Sequence, residues 1–309
     1  MPELPEVTVI VNSLDKKLKG LVLSGVEYDW PKKFFWNKFS VKDLKGAKIE
    51  GVDRRGKVII INLTKDEGLE TKAKESLSRS TLDISQLSIV IHLKLTGQLI
   101  YQDKKTRVAG GHPIPPLNLP VPNKTTRVTF SFTNGGHLYF NDLRKFGWVK
   151  IVESEESKIK EAIGVELGPD PLLMTFDEFK ERLTKKPQGR IKKVLMDQQV
   201  VSGIGNIYSD EGLWRAKIHP RRPIISLTEA ELKAIFKGVC DSMNLSISKG
   251  GSSANSFVGS GGERGLYLSF ANAYHRIGKP CARCKTPIVG ERMDGRTAHY
   301  CPACQRLMS

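Results

Sequence analysis

Two pairs of cysteines near the end of the chain constrain its fold more than any other sequence feature. Cys281 and Cys284 form one Cys-x-x-Cys pair, and sixteen residues separate it from the second pair, Cys301 and Cys304. Two such knuckles suit a tetrahedral Zn²⁺ ion, and four thiolates leave no position for catalysis. The pattern therefore predicts one structural zinc, with an iron–sulfur centre or a redox pair as the alternative. The segment 279–309 is too small for its own core, so we expect it to need the metal to fold.

The composition limits the class of protein. With 309 residues the chain can form two ordinary domains or one large one, and a hydrophobic content of 39% excludes wholesale disorder. A net charge of +16 favours a polyanionic partner, of which nucleic acid is the commonest inside a cell. The apolar runs are too short to span a bilayer, and Glu3 and Glu6 interrupt the place of a signal peptide. We therefore expect a cytoplasmic protein without a membrane partner.

The first half of the chain is predicted to be mainly β. Apolar residues at helical spacing predict one helix over 7–18. The Asn-Gly-Gly sequence at 134–136 is typical of a tight hairpin turn. The polar segment 64–86 and the Pro/Gly-rich segment 103–125 are predicted to be loops. A sandwich or a barrel closed by the helix is indicated by predicted strands at 21–28, 47–53, 57–63, 88–95, 126–133 and 137–141.

From about residue 155 the pattern becomes helical. Thr175 with Glu178, and Thr228 with Glu231, have the spacing of capping boxes at helix starts. The segment 249–263 is rich in Gly and Ser and is predicted to be a loop. The second capping box opens a long predicted helix with an apolar face of Leu232, Ile235, Phe236, Val239, Met243 and Ile247.

The N-terminus combines a proline with two acidic residues. Once the initiator methionine is removed, Pro2 carries a secondary amine, which can attack an aldehyde-like sugar carbon and form an iminium. Glu3 and Glu6 are candidate proton donors or acceptors beside it. The alternative is structural, because acidic residues in the first turn of a helix interact favourably with its dipole.

A glycine-rich sequence, Gly203-Ile204-Gly205-Asn206, precedes another predicted helix. Glycines at such a position let backbone amides approach a phosphate at the helix N-terminus. A tight turn between two helices explains the same residues without a ligand. Taken alone, the sequence favours the turn.

Six sequence blocks occur together in one order. They are PELPEV at 2–7, RRGK at 54–57, HLKLTG at 92–97, DLRKFG at 142–147, GIGNIY at 203–208 and the terminal cysteines. In this arrangement the chain resembles the formamidopyrimidine-DNA glycosylase family, from residue 2 to residue 304. The resemblance implies an α+β multidomain fold: a catalytic N-terminal β-sandwich with an N-terminal helix over 1–152, a helical helix-two-turn-helix domain with a lid loop over 153–272, and a four-cysteine zinc-finger β-hairpin over 273–309.

The resemblance also implies a bifunctional enzyme whose partner is damaged double-stranded DNA. It would excise 8-oxoguanine and formamidopyrimidines and then nick the strand by β,δ-elimination. Pro2 would attack the anomeric carbon and form a Schiff base, Glu3 would protonate the sugar ring oxygen, and Glu6 would support that geometry. Lys57 would bind the phosphate beside the lesion, whereas the alternative for Lys57 is a solvated lysine at a strand start. Beyond zinc no cofactor is expected, and we expect a monomer.

Base flipping leaves a gap in the DNA stack, and three residues match the family's side chains that fill it. We refer to them as the void-filling residues. They are Leu95, where most relatives have methionine, Arg144, which would pair with the base opposite the lesion, usually cytosine, and Phe146, which would buckle the stack. The alternative for Leu95 and Phe146 is ordinary core packing.

Three further residues match, or lie near, the family's phosphate contacts. Asn206 and Arg296 match residues that clamp the phosphates around the flipped nucleotide. His92 either reaches a phosphate or is a strand histidine whose hydrogen bonds are satisfied within the protein. The loop at 249–263 lies where the family has a lid over the extruded base, but its sequence departs from most relatives.

Two other functions stay open at this point. An endonuclease VIII-like enzyme for oxidised pyrimidines shares the fold and the proline, although the PELPEV start and the HLKLTG block favour the purine enzyme. A non-catalytic nucleic-acid-binding protein could carry the same helical motif and finger. Borohydride trapping on an abasic site separates a binding protein from an enzyme, because only the enzyme has a competent Pro2 amine.

Overall fold

The computed structural model describes residues 1–36, 39–65, 86–112, 119–252, 257–258 and 265–307. The first helix, α1, spans Leu4–Leu18 and confirms the helix predicted over 7–18. Its apolar face packs into the core through the residues whose spacing predicted it, which are Val7, Ile10, Val11, Leu14 and Leu18.

Strands dominate the described residues up to 153. They are β1 (Leu23–Tyr28), β2 (Phe34–Trp36), β3 (Lys48–Arg55), β4 (Val58–Thr64), β5 (Gln86–His92), β6 (Gly97–Gln102), β7 (Arg107–Gly111), β8 (Thr126–Phe132), β9 (His137–Asp142) and β10 (Trp148–Glu153). With a later strand, β11 (Phe257–Val258), they form two sheets within the described residues, in the orders β1-β8-β9-β6-β7-β11 and β2-β10-β5-β4-β3. The predicted turn at 134–136 joins β8 to β9 and is confirmed, with Gly135 at a φ of +79°.

Both sheets and α1 share one hydrophobic core. Ile59 and Ile91 come from the five-stranded sheet, Leu99 and Phe130 from the six-stranded sheet, and all four are essentially inaccessible to solvent. The N-terminal part is therefore a sandwich closed by α1, and the alternative of a barrel is wrong.

One predicted loop and one predicted strand need correction. The segment 103–125, predicted as a loop, contains β7, which pairs with β6. A Cβ at Gly111 would lie 2.3 Å from the carbonyl oxygen of Gly97, so this glycine reflects close strand contact rather than a loop. The strand predicted over 88–95 ends at His92, because a turn follows in which the N–H of Gly97 donates to the carbonyl of Leu93 (2.9 Å). The loop predicted over 64–86 lies outside the described residues except at its two ends.

Helices dominate the residues after β10. They are α2 (Glu156–Ile163), α3 (Phe176–Thr184), α4 (Ile191–Leu195), α5 (Asn206–Ala216), α6 (Glu229–Ser248) and α7 (Tyr267–Phe270). Both capping boxes are confirmed, since Thr175 Oγ1 accepts from Glu178 N (3.3 Å) and Thr228 Oγ1 accepts from Glu231 N (3.2 Å). The predicted apolar face of α6 is buried except at Phe236 and Ile247, which are half-buried.

The chain ends in a small hairpin that packs on the helical part. Its strands are β12 (Val289–Met293) and β13 (Arg296–Tyr300), which pair with each other. Trp214 of α5 joins Ile288 and the buried cysteines in a small apolar cluster. Within the described part of the chain, no helix is long and apolar enough to cross a membrane.

Candidate active site

Glu3 lies directly before α1, and its carboxylate contacts a helix 204 residues later in the sequence. Its Oε1 accepts a hydrogen bond from the N–H of Ile207 (2.9 Å), and its Oε2 accepts a longer one from the N–H of Tyr208 (3.5 Å). Both N–H groups belong to the first turn of α5, where a helix has no partners of its own for them. Glu3 therefore caps α5, with its carboxylate at the positive end of the helix dipole.

The glycines before α5 make room for the N-terminal segment. A Cβ at Gly205 would lie 2.3 Å from Cδ of Glu3, and one at Gly203, whose φ is +90°, would lie 2.4 Å from Cδ1 of Leu4. The N–H of Leu4 also donates to the carbonyl of Gly203 (3.1 Å). The favoured interpretation is a tight turn, and the alternative of a phosphate at this helix N-terminus does not apply to the amides of Ile207 and Tyr208, which hold the Glu3 carboxylate instead.

Glu6 connects the first turn of α1 to α5 and to the end of α6. Its Oε2 accepts from the N–H of Glu3 (2.9 Å). Its Oε1 accepts from the hydroxyl of Tyr208 (2.5 Å) and from the N–H of Ser252 (2.9 Å). Burial, followed by the charges of Glu6 and Glu3, raises the pKa of Tyr208 well above its ordinary value, so its hydroxyl remains a hydrogen-bond donor. Glu6 thus fixes Glu3 and the start of the Gly/Ser-rich segment together.

Lys57 lies in the turn between β3 and β4 and is buried. Its Nζ donates to the carbonyl oxygen of Ile204, 2.9 Å away, in the glycine-rich sequence before α5. The alternative of a solvated lysine is therefore wrong. Burial lowers the pKa of Lys57, while the charges of Glu3 and Glu6 oppose that shift.

The terminal amine lies among these charged groups. Burial lowers the pKa of the α-amino group of Met1 below its usual 8.0; Glu3 and Glu6 oppose the shift, and Lys57 and Arg296 add to it. Burial also raises the pKa of Glu3 above its ordinary value, while the charge of Lys57 opposes the shift. Attack on a sugar carbon requires a neutral amine beside a carboxyl that can give a proton, and the amine that Pro2 carries after loss of Met1 is the candidate in this chain.

We call the set of Pro2, Glu3, Glu6 and Lys57 the amine site, and all four residues are buried. Met1 precedes Pro2 in the described chain and is 45% exposed. While Met1 is attached, the nitrogen of Pro2 belongs to a peptide bond and is not nucleophilic. The amine site is therefore complete only after Met1 has been removed.

The void-filling residues project from two turns next to the sandwich. Leu95 is half-buried in the turn after β5, whereas Arg144 and Phe146 are exposed in the segment between β9 and β10. The guanidinium carbon of Arg144 lies 5.0 Å from the centroid of the Phe146 ring. Phe146 is 46% exposed, so the alternative of core packing is wrong for this residue.

His92 ends β5 and is half-buried. Its Nδ1 accepts from the N–H of Lys94 (2.9 Å), which leaves the proton on Nε2. Burial, followed by the charges of Lys94 and Lys57, lowers the pKa of His92 to about 3. The ring is therefore neutral at physiological pH and has one N–H left to donate.

The two predicted phosphate contacts of the later domains lie at the meeting point of α5 and the hairpin. Asn206 is the first residue of α5, and its Nδ2 donates to the carbonyl of Thr297 (3.0 Å) in β13. Arg296 begins β13 and is exposed. Its charge contributes to the lowered pKa of the α-amino group of Met1, the residue before Pro2.

Sequence reasoning missed a buried group that attaches the hairpin to α5. Asp210 accepts a hydrogen bond from Nζ of Lys192 and another from Nδ1 of His299 (2.8 Å), and the N–H of His299 also donates to it (3.1 Å). All three side chains are buried. The group joins α4, α5 and β13, so the position of the hairpin depends on a buried charge pair.

Glu211, the next residue on α5, was missed as well. It is fully buried, and its Oε1 accepts from the N–H groups of Ala273 (2.8 Å) and Tyr274 (2.9 Å). The sequence did contain a signal for both residues, since Asp210 and Glu211 are adjacent acids in a predicted helix with apolar residues. Carboxylates are rarely buried without partners, so acids at such positions indicate buried hydrogen bonds. They hold the segment that leads from α7 into the hairpin.

Comparisons with known proteins cover nearly the whole chain. Residues 1–149 match the formamidopyrimidine-DNA glycosylase N-terminal domain, 167–258 match its H2TH domain, and 278–307 match the zinc finger found in FPG and IleRS. The formamidopyrimidine-DNA glycosylase of Pelotomaculum thermopropionicum is 34% identical over 310 residues, which cover 99% of this chain and 100% of that protein. The chain belongs to the formamidopyrimidine-DNA glycosylase family.

Solved structures of the formamidopyrimidine-DNA glycosylase family agree with this assignment. A Lactococcus lactis FPG mutant in complex with a Fapy-dG containing DNA superimposes with a TM-score of 0.80 at 28% identity, over 99% of this chain and 100% of that one. A complex between the Lactococcus lactis Fpg and an abasic site containing DNA has a TM-score of 0.78 at 28% identity with the same coverage. The family's β-sandwich, helical domain and zinc-finger hairpin are therefore the fold of this chain.

The four cysteines of the formamidopyrimidine-DNA glycosylase finger come together as predicted. The Sγ atoms of Cys281, Cys284, Cys301 and Cys304 all lie within 4.8 Å of one another. Zinc–sulfur bonds of about 2.3 Å in a tetrahedron place sulfurs roughly 3.8 Å apart, so this donor set fits the ion. The finger holds one structural zinc, which stabilises the hairpin that carries Arg296.

Proposed function

We propose that this chain is a bifunctional DNA glycosylase and AP lyase that excises oxidised purines from duplex DNA. The observation that carries the proposal is the burial of Pro2, Glu3 and Lys57 together with two hydrogen bonds: the N–H of Ile207 in α5 donates to Glu3, and Lys57 donates to the carbonyl of Ile204 just before α5. The relatives named formamidopyrimidine-DNA glycosylase, and the solved complexes with Fapy-dG DNA, support the same activity. The substrates we propose are 8-oxoguanine and formamidopyrimidines.

The nucleophile is the secondary amine of Pro2 after loss of Met1. Its nitrogen attacks C1′ of the damaged nucleotide, the bond between C1′ and the base breaks, and the proton that the nitrogen loses neutralises the departing base. Glu3 gives a proton to the ring oxygen O4′, the sugar opens, and an iminium forms between C1′ and the nitrogen. Successive loss of sugar protons then breaks the 3′ and 5′ C–O bonds to phosphate, and water releases the amine.

The other groups bind and orient the DNA. Lys57 binds the phosphate beside the lesion, and Asn206 and Arg296 hold the neighbouring phosphates from α5 and the hairpin. His92 contributes its remaining N–H rather than a charge. Lysine and arginine contacts with phosphate release counterions, which fits the net charge of +16.

We propose that each of the three segments predicted from the sequence has its own role in the reaction. Residues 1–152 carry the amine site, 153–272 grip the DNA backbone and 273–309 add the hairpin. We also propose that the protein acts as a monomer on chromosomal DNA in the cytoplasm. Sedimentation of the protein with and without a lesion duplex would test the monomer, and a stable dimer would contradict it.

Borohydride trapping tests the nucleophile. The mature chain should form a covalent complex with DNA that contains 8-oxoguanine or an abasic site, because reduction of the iminium makes the bond permanent. Pro2→Gly keeps an amine of different basicity and geometry and should retain little activity. A chain that retains Met1 should not be trapped. Trapping of a chain whose N-terminus is acetylated would show that a lysine such as Lys57 is the nucleophile.

A comparison of lesions tests the substrate class. Duplexes that contain 8-oxoguanine should be cut faster than duplexes that contain a ring-saturated thymine. The reverse order would favour the endonuclease VIII-like function. Trapping without any preference for oxidised purines would leave the lyase and contradict the proposed specificity.

A further inference from the structure

The void-filling residues come from two separate segments, which we call the wedge turns. The first wedge turn, 93–96, connects β5 to β6 and carries Leu95. The second, 143–147, connects β9 to β10 and carries Arg144 and Phe146. The two turns leave the sandwich side by side, because β6 and β9 are paired and Gly97 lies opposite Asp142 in their register.

One buried pair of side chains, Thr96 and Asp142, links the wedge turns. The hydroxyl of Thr96 donates to Oδ1 of Asp142 and accepts from the backbone N–H of Arg144 (3.1 Å). Oδ2 of Asp142 accepts from the N–H of Gly147 (2.7 Å). The two side chains are only 5% and 1% exposed. A single pair therefore connects the first wedge turn to both ends of the second.

The sandwich holds this pair in place. The N–H of Asp142 donates to the carbonyl of Thr125 (2.8 Å), and Nε of Arg127 donates to the carbonyl of Asp142 (3.0 Å). Asp142 is thus fixed by β8 as well as by the two turns. Arg144 and Phe146 are exposed, so the buried pair below them determines where they project.

We propose that Thr96 and Asp142 are positioning residues that set the register between Leu95 and Arg144, and thereby determine how well the protein distinguishes the base opposite the lesion. The inference rests on the proposed glycosylase function and on the void-filling role that the resemblance to the family implies for those residues. Hydrogen bonds from an arginine to a base edge need correct placement of the whole guanidinium. Without the Thr96 hydroxyl the backbone N–H of Arg144 loses its hydrogen bond to the first turn, and Arg144 distinguishes the two opposite bases less well.

Thr96→Val tests this role, because valine keeps the shape of threonine and removes the hydroxyl. The readout is the ratio of dissociation constants for duplexes in which a stable tetrahydrofuran abasic analogue lies opposite cytosine or opposite adenine. We expect the wild-type preference for cytosine to fall roughly tenfold in Thr96→Val. Thr96→Ser keeps the hydroxyl and should keep the preference.

Thr126→Val is the matched control. Its hydroxyl also lies in the six-stranded sheet but donates to Asn141 (2.8 Å) and accepts from the N–H of Asn123 (2.9 Å). A merely structural loss would weaken binding to both duplexes equally and would appear in Thr126→Val too. An unchanged ratio in Thr96→Val, an equal loss in Thr126→Val, or no preference in the wild type would each overturn the inference.

The measurement is independent of the amine chemistry, because the tetrahydrofuran analogue has neither a base nor a hydroxyl at C1′ that the amine could displace. Failure of borohydride trapping would refute the proposed nucleophile and leave the binding ratio intact. Conversely, normal trapping together with an unchanged ratio in Thr96→Val would refute the positioning role alone.

Discussion

The amine site and the wedge turns serve the same DNA lesion with opposite arrangements. In the amine site the functional groups themselves are buried, and Glu3 also caps α5. In the wedge turns the functional tips of Arg144 and Phe146 are exposed, while the buried pair beneath them has no direct contact with DNA to make. Substitutions in the amine site should therefore change stability and activity together, whereas substitutions at the tips should change activity alone.

The largest effect is expected at Glu3. Glu3→Gln should lower single-turnover excision by about 10²- to 10⁴-fold, because an amide cannot deliver the proton. Binding of lesion DNA should persist, since the amide oxygen can still accept from the N–H of Ile207. Rapid-quench excision assays and duplex titrations would measure the two effects. Loss of binding in parallel with excision would contradict the separation.

The pH dependence of stability sharpens the same comparison. Burial raises the pKa of Glu3 in the folded state, so the folded protein holds this proton more tightly than the unfolded chain. The Glu3 contribution to stability is therefore greatest at or below the unfolded pKa, and it declines as pH rises through the folded pKa. Glu3→Gln should be at least as stable as the wild type at neutral pH and should lack that decline. Unfolding measured across the acidic to neutral range would check this.

A smaller effect is expected at Gly205, where fold and chemistry meet. The Cβ of Gly205→Ala would lie 2.3 Å from Cδ of Glu3, which should destabilise the protein by about 1–3 kcal/mol and displace the carboxylate. Gly25→Ala is the control, because its Cβ would meet nothing within 4 Å. Denaturant unfolding and excision rates should both separate the two variants. Equal stability and equal activity would show that Glu3 shifts without consequence.

At the tip of a wedge turn only function should change. Phe146→Ala should alter the unfolding free energy by no more than about 0.5 kcal/mol, because Phe146 is 46% exposed and lies outside the core. It should weaken binding to a tetrahydrofuran duplex about tenfold through lost stacking. Phe130→Ala, in the core, should instead cost about 3–5 kcal/mol of stability. A large loss of stability in Phe146→Ala would break the contrast between the two regions.

The smallest effect concerns Arg296, which is exposed and whose charge acts on the α-amino group of Met1. Arg296→Ala should weaken binding to all DNA sequences and reduce the slope of log affinity against log salt by about one unit. Titrations at several salt concentrations would measure the slope. An unchanged slope would identify Arg296 as a solvated surface charge.

Local patterns predicted much of the fold. The helix over 7–18, the turn at 134–136 and both capping boxes depend on neighbouring residues, and all are confirmed. β6 was missed because five of its six residues are buried, so it lacks the alternation that marks a half-exposed strand. β7 was missed because its glycines, which fit close strand contact, resemble those of a loop.

The site was less accessible to sequence reasoning because its contacts are distant in the chain. No periodicity connects Glu3 to Ile207 or Lys57 to Ile204. Yet the N–H of Ile207 donates to Oε1 of Glu3, and Nζ of Lys57 donates to the carbonyl of Ile204, both over 2.9 Å. The resemblance identified the residues, but it gave neither the capping of α5 nor the burial of Lys57. Those follow from tertiary packing, which brings the N-terminus against the start of α5.

The contact between Glu3 and α5 restricts how relatives can be recombined. A hybrid that takes its first six residues from one parent and its helical segment from another must still place an acid opposite two free amides and a glycine at position 205. A crossover point between these segments would place Glu3 of one parent against the start of α5 of the other parent, whose backbone is not fitted to that side chain. Residues 2–6 and 203–208 of a hybrid should therefore come from the same parent, although some two hundred residues lie between them.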